Sequence, residues 1–216
     1  MKMTAIVDYG VGNLFSLRCS LESLGEKVLV TPEEERILEA DRVILPGVGA
    51  FGDAAEKLRQ SGLDRAVRKA AEMGKPVMGI CLGMQLLFER STEYGVHEGL
   101  GLLKGEVRPI REILDAAGAD PEKKLKIPQM GWNALRTRGE SGLFRYIREG
   151  AHVYFVHSFA ATGCEESLLA DTEYGTWITA CVGKKNVMGC QFHPEKSGEV
   201  GLKILKAFCE MEGTDA

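Results

Sequence analysis

Two short stretches of this chain carry residue types that can do nucleophilic chemistry together. The first is Pro76-Val77-Met78-Gly79-Ile80-Cys81-Leu82-Gly83-Met84-Gln85-Leu86-Leu87-Phe88, where an apolar run meets a Gly-x-Cys-x-Gly and an amphipathic helix is predicted to begin. That is the arrangement of a nucleophile elbow with a thiol in place of a hydroxyl. Glycines on either side permit a sharp turn and leave the sulfur uncrowded, and a helix N-terminus beneath it offers free N–H groups and a positive dipole end. The second stretch, Gln191-Phe192-His193-Pro194-Glu195, supplies a base and a carboxylate two residues apart. In an extended segment such residues point to the same side, and Pro194, which has no N–H, marks a strand end or edge. Cys81, His193 and Glu195 therefore read as a Cys-His-Glu hydrolase triad: nucleophile, general base and orienting carboxylate. A lone buried cysteine is ordinarily an inert small hydrophobe. The pairing of the two stretches singles out Cys81.

The elements that would position these groups alternate strand and helix in the first half. Thr4–Asp8 forms a short buried strand, Asn13 caps a helix carrying Leu14, Leu17, Leu21 and Leu24 on one stripe, and Gly25 ends it. Lys27–Val30 and Arg42–Leu45 are the next strands, helices follow at Asp53–Leu58 and Leu63–Met73, and Pro76–Ile80 is the strand that delivers Cys81. Short apolar strands alternating with helices imply an α/β fold, an open and mostly parallel sheet covered on both faces. The second half changes period. Leu100–Ile110, Ile127–Leu135, Ala151–Ala160, Trp177–Val182 and Val187–Phe192 are expected as strands, largely antiparallel additions, with hairpins at Gly139–Gly142 and Gly183–Asn186. A helix from Glu199 to Met211 closes the chain, and Arg111–Lys126 is expected to be a polar surface excursion around a short helix at Ile113–Ala117.

Bulk properties bound the function. The 216 residues suit a single domain spanning 1–216. With a net charge of −4 and no basic stripe, nucleic acid is not an expected partner. No leader pattern opens the chain and no apolar run reaches membrane-spanning length, so a soluble, cytoplasmic protein is expected. The six cysteines (Cys19, Cys81, Cys164, Cys181, Cys190, Cys209) include no Cys-x-x-Cys, and no histidine stands at metal-ligand spacing. No metal, no cofactor and no disulfide framework are expected, and the five cysteines other than Cys81 read as small hydrophobes. Gly10-Val11-Gly12 fails as a dinucleotide fingerprint, because Phe15 holds the third glycine position and no acid ends the second strand.

On these residues the chain resembles the class I, triad-type glutamine amidotransferases over nearly its whole length. Within that family it is similar to the glutaminase subunits that serve imidazole glycerol phosphate synthesis. Thr4–Ser16, the loop Leu45-Pro46-Gly47-Val48-Gly49-Ala50-Phe51-Gly52, the elbow Gly79–Leu87, Pro128-Gln129-Met130-Gly131-Trp132-Asn133, Val153–Phe159 and Gly189–Ser197 carry the likeness. Gln129 departs from it, standing where many members have histidine, and Arg111–Lys126 is longer than usual. The resemblance implies hydrolysis of L-glutamine to glutamate and ammonia. It implies an oxyanion hole from Val48, Gly49 and Leu82, and glutamine binding by Gly49, Gln85, His157, Ser158 and Phe159. It further implies a heterodimer with a (β/α)8-barrel cyclase or synthase subunit, docked around Tyr9, Asn13, Trp132, Asn133 and Lys196. A glutaminase serving another synthase, or a stand-alone cysteine hydrolase of the same fold, is the alternative.

Overall fold

The computed structural model describes residues 2–213 apart from 121, 123, 124 and 140. Strands β1 (Met3–Val7), β2 (Lys27–Thr31), β3 (Arg42–Leu45) and β4 (Val77–Ile80) are joined by helices α1 (Leu14–Ser23), α2 (Glu34–Glu39), α3 (Phe51–Gln60) and α4 (Leu63–Glu72). Helix α5 (Leu82–Leu86) follows the elbow. Strands β5 (Arg90–Ser91), β6 (His97–Glu98) and β7 (Glu106–Pro109) lead to α6 (Ile110–Ala116). Then come β8 (Gln129–Ala134), β9 (Arg136–Thr137), β10 (His152–His157), β11 (Phe159–Thr162), β12 (Leu168–Glu173), β13 (Trp177–Lys184), β14 (Val187–Cys190) and the closing helix α7 (Gly198–Cys209).

The main sheet has the order β2-β1-β3-β4-β14-β13-β12-β9. It is parallel from β2 through β14 and antiparallel beyond. Adjacent residues of its strands face opposite cores, as the two-residue period requires. Ile6, Ile44 and Met78 pack with Leu17 and Leu21 of α1 and with Ile204, Leu205 and Phe208 of α7. Val7, Val43, Leu45 and Val77 pack with Ile37, Leu58, Leu63 and Val67 on the other side. Asn13 caps α1 as expected, its Oδ1 accepting from Ser16 N. The smaller sheets β10-β8 and β11-β7-β5-β6 complete the fold.

Four expectations need correction. The run Leu100–Ile110 is a strand only over β7. Leu100 and Leu102 N–H groups instead bond the Leu86 and Leu87 carbonyls, so the apolar residues there plug the end of α5 and carry no two-residue period. Ala151–Ala160 breaks at Ser158 into β10 and β11, which join different sheets. Gly139–Gly142 is not a hairpin, because β9 pairs with β12, where Arg136 and Arg138 both bond the buried Asp171 carboxylate. Helix α5 is buried on all sides and is not amphipathic. The hairpin at Gly183–Asn186 does form, between β13 and β14. Short α2, with only Ile37 buried, had too weak a stripe to be read.

The excursion Arg111–Lys126 is also more than a surface loop. Pro121 lies outside the described residues, but Ile110 and Leu114 of α6 are buried against Ala160 and Ile178, with Ile113, Ala119 and Leu125 alongside. A Leu114→Ala variant should therefore lose about 2–5 kcal/mol of stability, the usual cost of emptying a leucine site, measured by urea unfolding. Replacing the whole segment with a tight turn should cost at least as much.

Candidate active site

Cys81 closes β4 with φ 54° and ψ −112°, a conformation costly for a residue bearing a Cβ. What holds it there is close backbone packing. A Cβ on Gly79 would lie 2.6 Å from Met84 N, and one on Gly83 would lie 1.8 Å from the Leu45 carbonyl oxygen. The elbow glycines thus let α5 sit directly on β4 and on the end of β3. Cys81 remains 7 % exposed, facing a cavity of ≈ 380 Å³.

Strand β14 lies beside β4 in parallel register, Cys190 opposite Ile80. The residues just past its end are therefore carried to the sulfur. His193 N donates to Tyr154 O of β10 at 3.0 Å, and Ser197 Oγ donates to His193 O at 2.7 Å. These bonds fix the backbone from which the imidazole projects. His193 Nδ1 meets Glu195 Oε1 at 2.8 Å, both side chains being almost fully buried. Burial opposes charge on this ring, but hydrogen bonds and negative charge from Cys81 and Glu195 outweigh it and raise its pKa to about 9. The sequence-expected triad is thus assembled in contact, Cys81–His193–Glu195.

The other expected site residues converge on the same cavity: Val48, Gly49, Leu82, Gln85, His157, Ser158 and Phe159 all line it. Of the glycines in the loop after β3, Gly49 has φ +96° and open space where a Cβ would stand. Gly47 is wedged between the Tyr9 hydroxyl and Gly83 N, and Gly52 abuts the His97 ring. Gln85 Nε2 donates to Phe159 O at 3.0 Å and to Gln191 Oε1 at 2.9 Å. His157 Nδ1 lies 2.8 Å from Phe159 O and its Nε2 lies 3.0 Å from Gln129 Oε1. Burial lowers its pKa to about 4, so the ring is neutral.

Of the five expected docking residues, Trp132 and Lys196 are exposed and Asn13 and Asn133 half-buried. Tyr9 is corrected. It is 6 % exposed, and its hydroxyl donates to Pro46 O at 2.8 Å, so the side chain braces the loop from inside. Five of the six cysteines are buried and Cys19 is exposed, against its reading as a buried hydrophobe.

Two residues at the site escaped sequence analysis: Glu93, on the cavity wall, and Gln191, beneath Cys81 and Gln85. Glu93 is buried, lines the cavity, and accepts the Phe51 N–H that opens α3 at 2.7 Å. Burial raises its pKa, partly offset by that N–H and by His97. It lies in Ser91–Gly95, which has no periodicity to read. Gln191 stood in a quoted motif without a role. Among the described residues no cluster suited to a metal ion is present and no helix is long and apolar enough to cross a membrane.

Comparison with known proteins follows the same lines. The family model "Glutamine amidotransferase class-I" matches residues 5–211. A protein of Wolinella succinogenes named imidazole glycerol phosphate synthase subunit HisH is 50 % identical over 97 % of this chain and 100 % of its own length. The Bacillus subtilis (strain 168) protein of that name is 47 % identical over 97 % and 96 %. Among solved structures, PurLQS from Thermotoga maritima superposes with a TM-score of 0.71 at 22 % identity, covering 96 % of this chain and 97 % of that one. The glutaminase domain of Trypanosoma brucei CTPS with bound acivicin does so with 0.64 at 15 %, covering 100 % and 97 %. These two show the shared fold.

The raised His193 pKa yields a sign that can be checked. A histidine held at about 9, above its ordinary 6.5, stabilises the fold below pH 6.5, and that contribution is lost as pH rises through 9. In NMR titration the His193 ring should remain cationic well above pH 7. In Cys81→Ala and in Glu195→Gln its midpoint should fall, because each removes one of the groups that raise it.

Proposed function

The chain belongs to the class I glutamine amidotransferase family, and from that premise we propose that it hydrolyses L-glutamine to glutamate and ammonia as the glutaminase subunit of an imidazole glycerol phosphate synthase. The observation that carries the reading is the Cys81–His193–Glu195 line opening into a cavity with room for glutamine, in a chain about half identical to relatives of that name along nearly their full length.

The chemistry follows from the geometry. An amide carbonyl is a poor electrophile, so a thiolate is required. Cys81 Sγ attacks the side-chain carbon of glutamine as a thiolate paired with the cationic His193 ring, which holds the proton, and the carbonyl oxygen becomes an oxyanion. Leu82 N–H, the first of α5 and without an intrahelical acceptor, is one donor to it; the Val48–Gly49 peptide is the other. Each such donor is worth roughly 3 kcal/mol. Collapse expels the amide nitrogen with the proton from His193 as ammonia and leaves a thioester. Water, deprotonated by His193, then releases glutamate and restores the thiol. Glu195 holds the imidazole by Nδ1, turning the other nitrogen to the sulfur.

Gln85 and the His157–Phe159 segment take the polar groups of the substrate. Glu93 suits its α-ammonium. A carboxylate raised by burial gains most from a cation brought beside it. The ammonia goes to a separate (β/α)8-barrel cyclase that makes imidazole glycerol phosphate and an aminoimidazole carboxamide ribotide, the two chains forming a cytoplasmic heterodimer. The glutaminase reading takes residues 1–216 as one domain. Exposed Phe15, Val48, Met130 and Trp132, with Lys196, form the docking face. Because Val48 and Gly49 belong both to that face and to the oxyanion hole, docking and transition-state stabilisation are coupled. The isolated chain should be a slow glutaminase.

Glutamate release from glutamine, with and without the barrel subunit and its nucleotide ligand, tests the reading. Strong activation, mainly in kcat, is the expected result. Full activity of the isolated chain would favour a stand-alone hydrolase. Cys81→Ala should abolish release, and Glu195→Gln should reduce it less than His193→Ala. In a separate assay, Glu93→Gln should raise KM for glutamine by about tenfold, the scale of one charge-assisted bond, while kcat changes little.

A further inference from the structure

Gln191 is fully buried, yet its side chain spends both polar ends on the site. Its Oε1 accepts from Gln85 Nε2 at 2.9 Å, and its Nε2 lies 3.7 Å from Cys81 Sγ, within hydrogen-bond range of a sulfur acceptor. The orientation of both amides is fixed by a third atom. Phe159 O, 3.0 Å from Gln85, is a backbone carbonyl and can only accept. The nitrogen of Gln85 must therefore face it, and the second hydrogen of that same NH2 points to Gln191. Gln191 then has its oxygen committed and its NH2 turned to the sulfur. The result is a directed relay, Phe159 carbonyl to Gln85 to Gln191 to Cys81, ending in an N–H on the reacting atom.

Resting on the glutaminase reading, we propose that Gln191 is a catalytic residue of the amide hydrolysis, its carboxamide N–H solvating the Cys81 sulfur whenever that sulfur is an anion. This occurs twice per turnover: in the attacking thiolate and in the thiolate expelled when water cleaves the thioester. A buried thiolate has no water shell, and a fixed dipole replaces part of it. An amide has the further property that it cannot protonate the sulfur. It supports the charge without competing with His193, which alone moves protons. The relay also makes the sulfur environment depend on Gln85, a residue placed to touch glutamine.

The test is the pH dependence of Cys81 alkylation by iodoacetamide in the full-length chain, the modified residue being identified by mass spectrometry. This reagent is small and needs no glutamine pocket. Gln191→Met keeps the length of the side chain without the donor, and Gln191→Glu keeps its shape but sets beside the sulfur a carboxyl group whose charge, once ionised, opposes the thiolate. Removing one hydrogen bond to a charged group should move the alkylation midpoint up by about one pH unit in the Met variant, and further in the Glu variant. The kcat of the complex should fall about tenfold or more in both. Should Gln191→Met fail to fold, the isosteric Glu variant gives the same comparison. Alkylation profiles that superimpose on that of the native chain would overturn the proposal and leave Gln191 as packing. No alkylation of Cys81 in the native chain would instead overturn the nucleophile assignment, and the proposal with it.

Discussion

Gly83 touches the end of β3 so closely that no other residue fits: a Cβ there would stand 1.8 Å from the Leu45 carbonyl. Gly79 makes the matching contact beneath α5. These backbone approaches set the distance between the elbow and the loop that follows β3, and hence the place where an oxyanion can sit. With α5 standing any further off, Leu82 and the Val48–Gly49 peptide would no longer line one cavity. Replacing either glycine would force β3, β4 or α5 to shift, and interiors packed this tightly move only at substantial cost.

The order of strands does the rest of the assembly. Strand β14 returns from the far end of the chain to lie beside β4, so 112 residues separate Cys81 from His193 in sequence while their strands are neighbours. The base arrives on a backbone held from behind by β10, through Tyr154 and Ser197. The same β10 leads through Ser158 into β11, placing the Phe159 carbonyl over Gln85. One meandering stretch thus orients both the His193 ring and one wall of the cavity.

Electrostatics at the site divide along burial and partners. His157 and His193 are both buried, but they are driven in opposite directions. Burial takes His157 down to about 4 despite its carbonyl partner Phe159 O, whereas at His193 a carboxylate and a thiol outweigh burial and the ring rises to about 9. Two identical side chains at one site are thus given opposite charge preferences. Tyr9 takes a third position, its phenol pushed up by burial and by charge at Cys81, fit only to donate to Pro46 O.

Much of this was legible in the sequence. Parallel strands β1, β3 and β4 appear as short apolar runs, the Gly-x-Cys-x-Gly marks the elbow, and the two-residue spacing of His193 and Glu195 gives their shared side. Local patterns with a strong period, or residues with one dominant chemistry, carry such information alone. What sequence could not supply was anything decided by partners remote along the chain. The apolar residues at 100–103 plug α5 and form no strand, Leu114 is core because Ile178 lies beneath it, and Tyr9 faces inward because Pro46 waits there. Glu93 and Gln191 belong to this second group. A glutamate in an aperiodic stretch and a glutamine in a motif become functional candidates only when the fold buries them against the cavity. The physical reason is that burial and hydrogen-bond partners are properties of the packed chain, whereas period and side-chain chemistry are properties of the residues themselves.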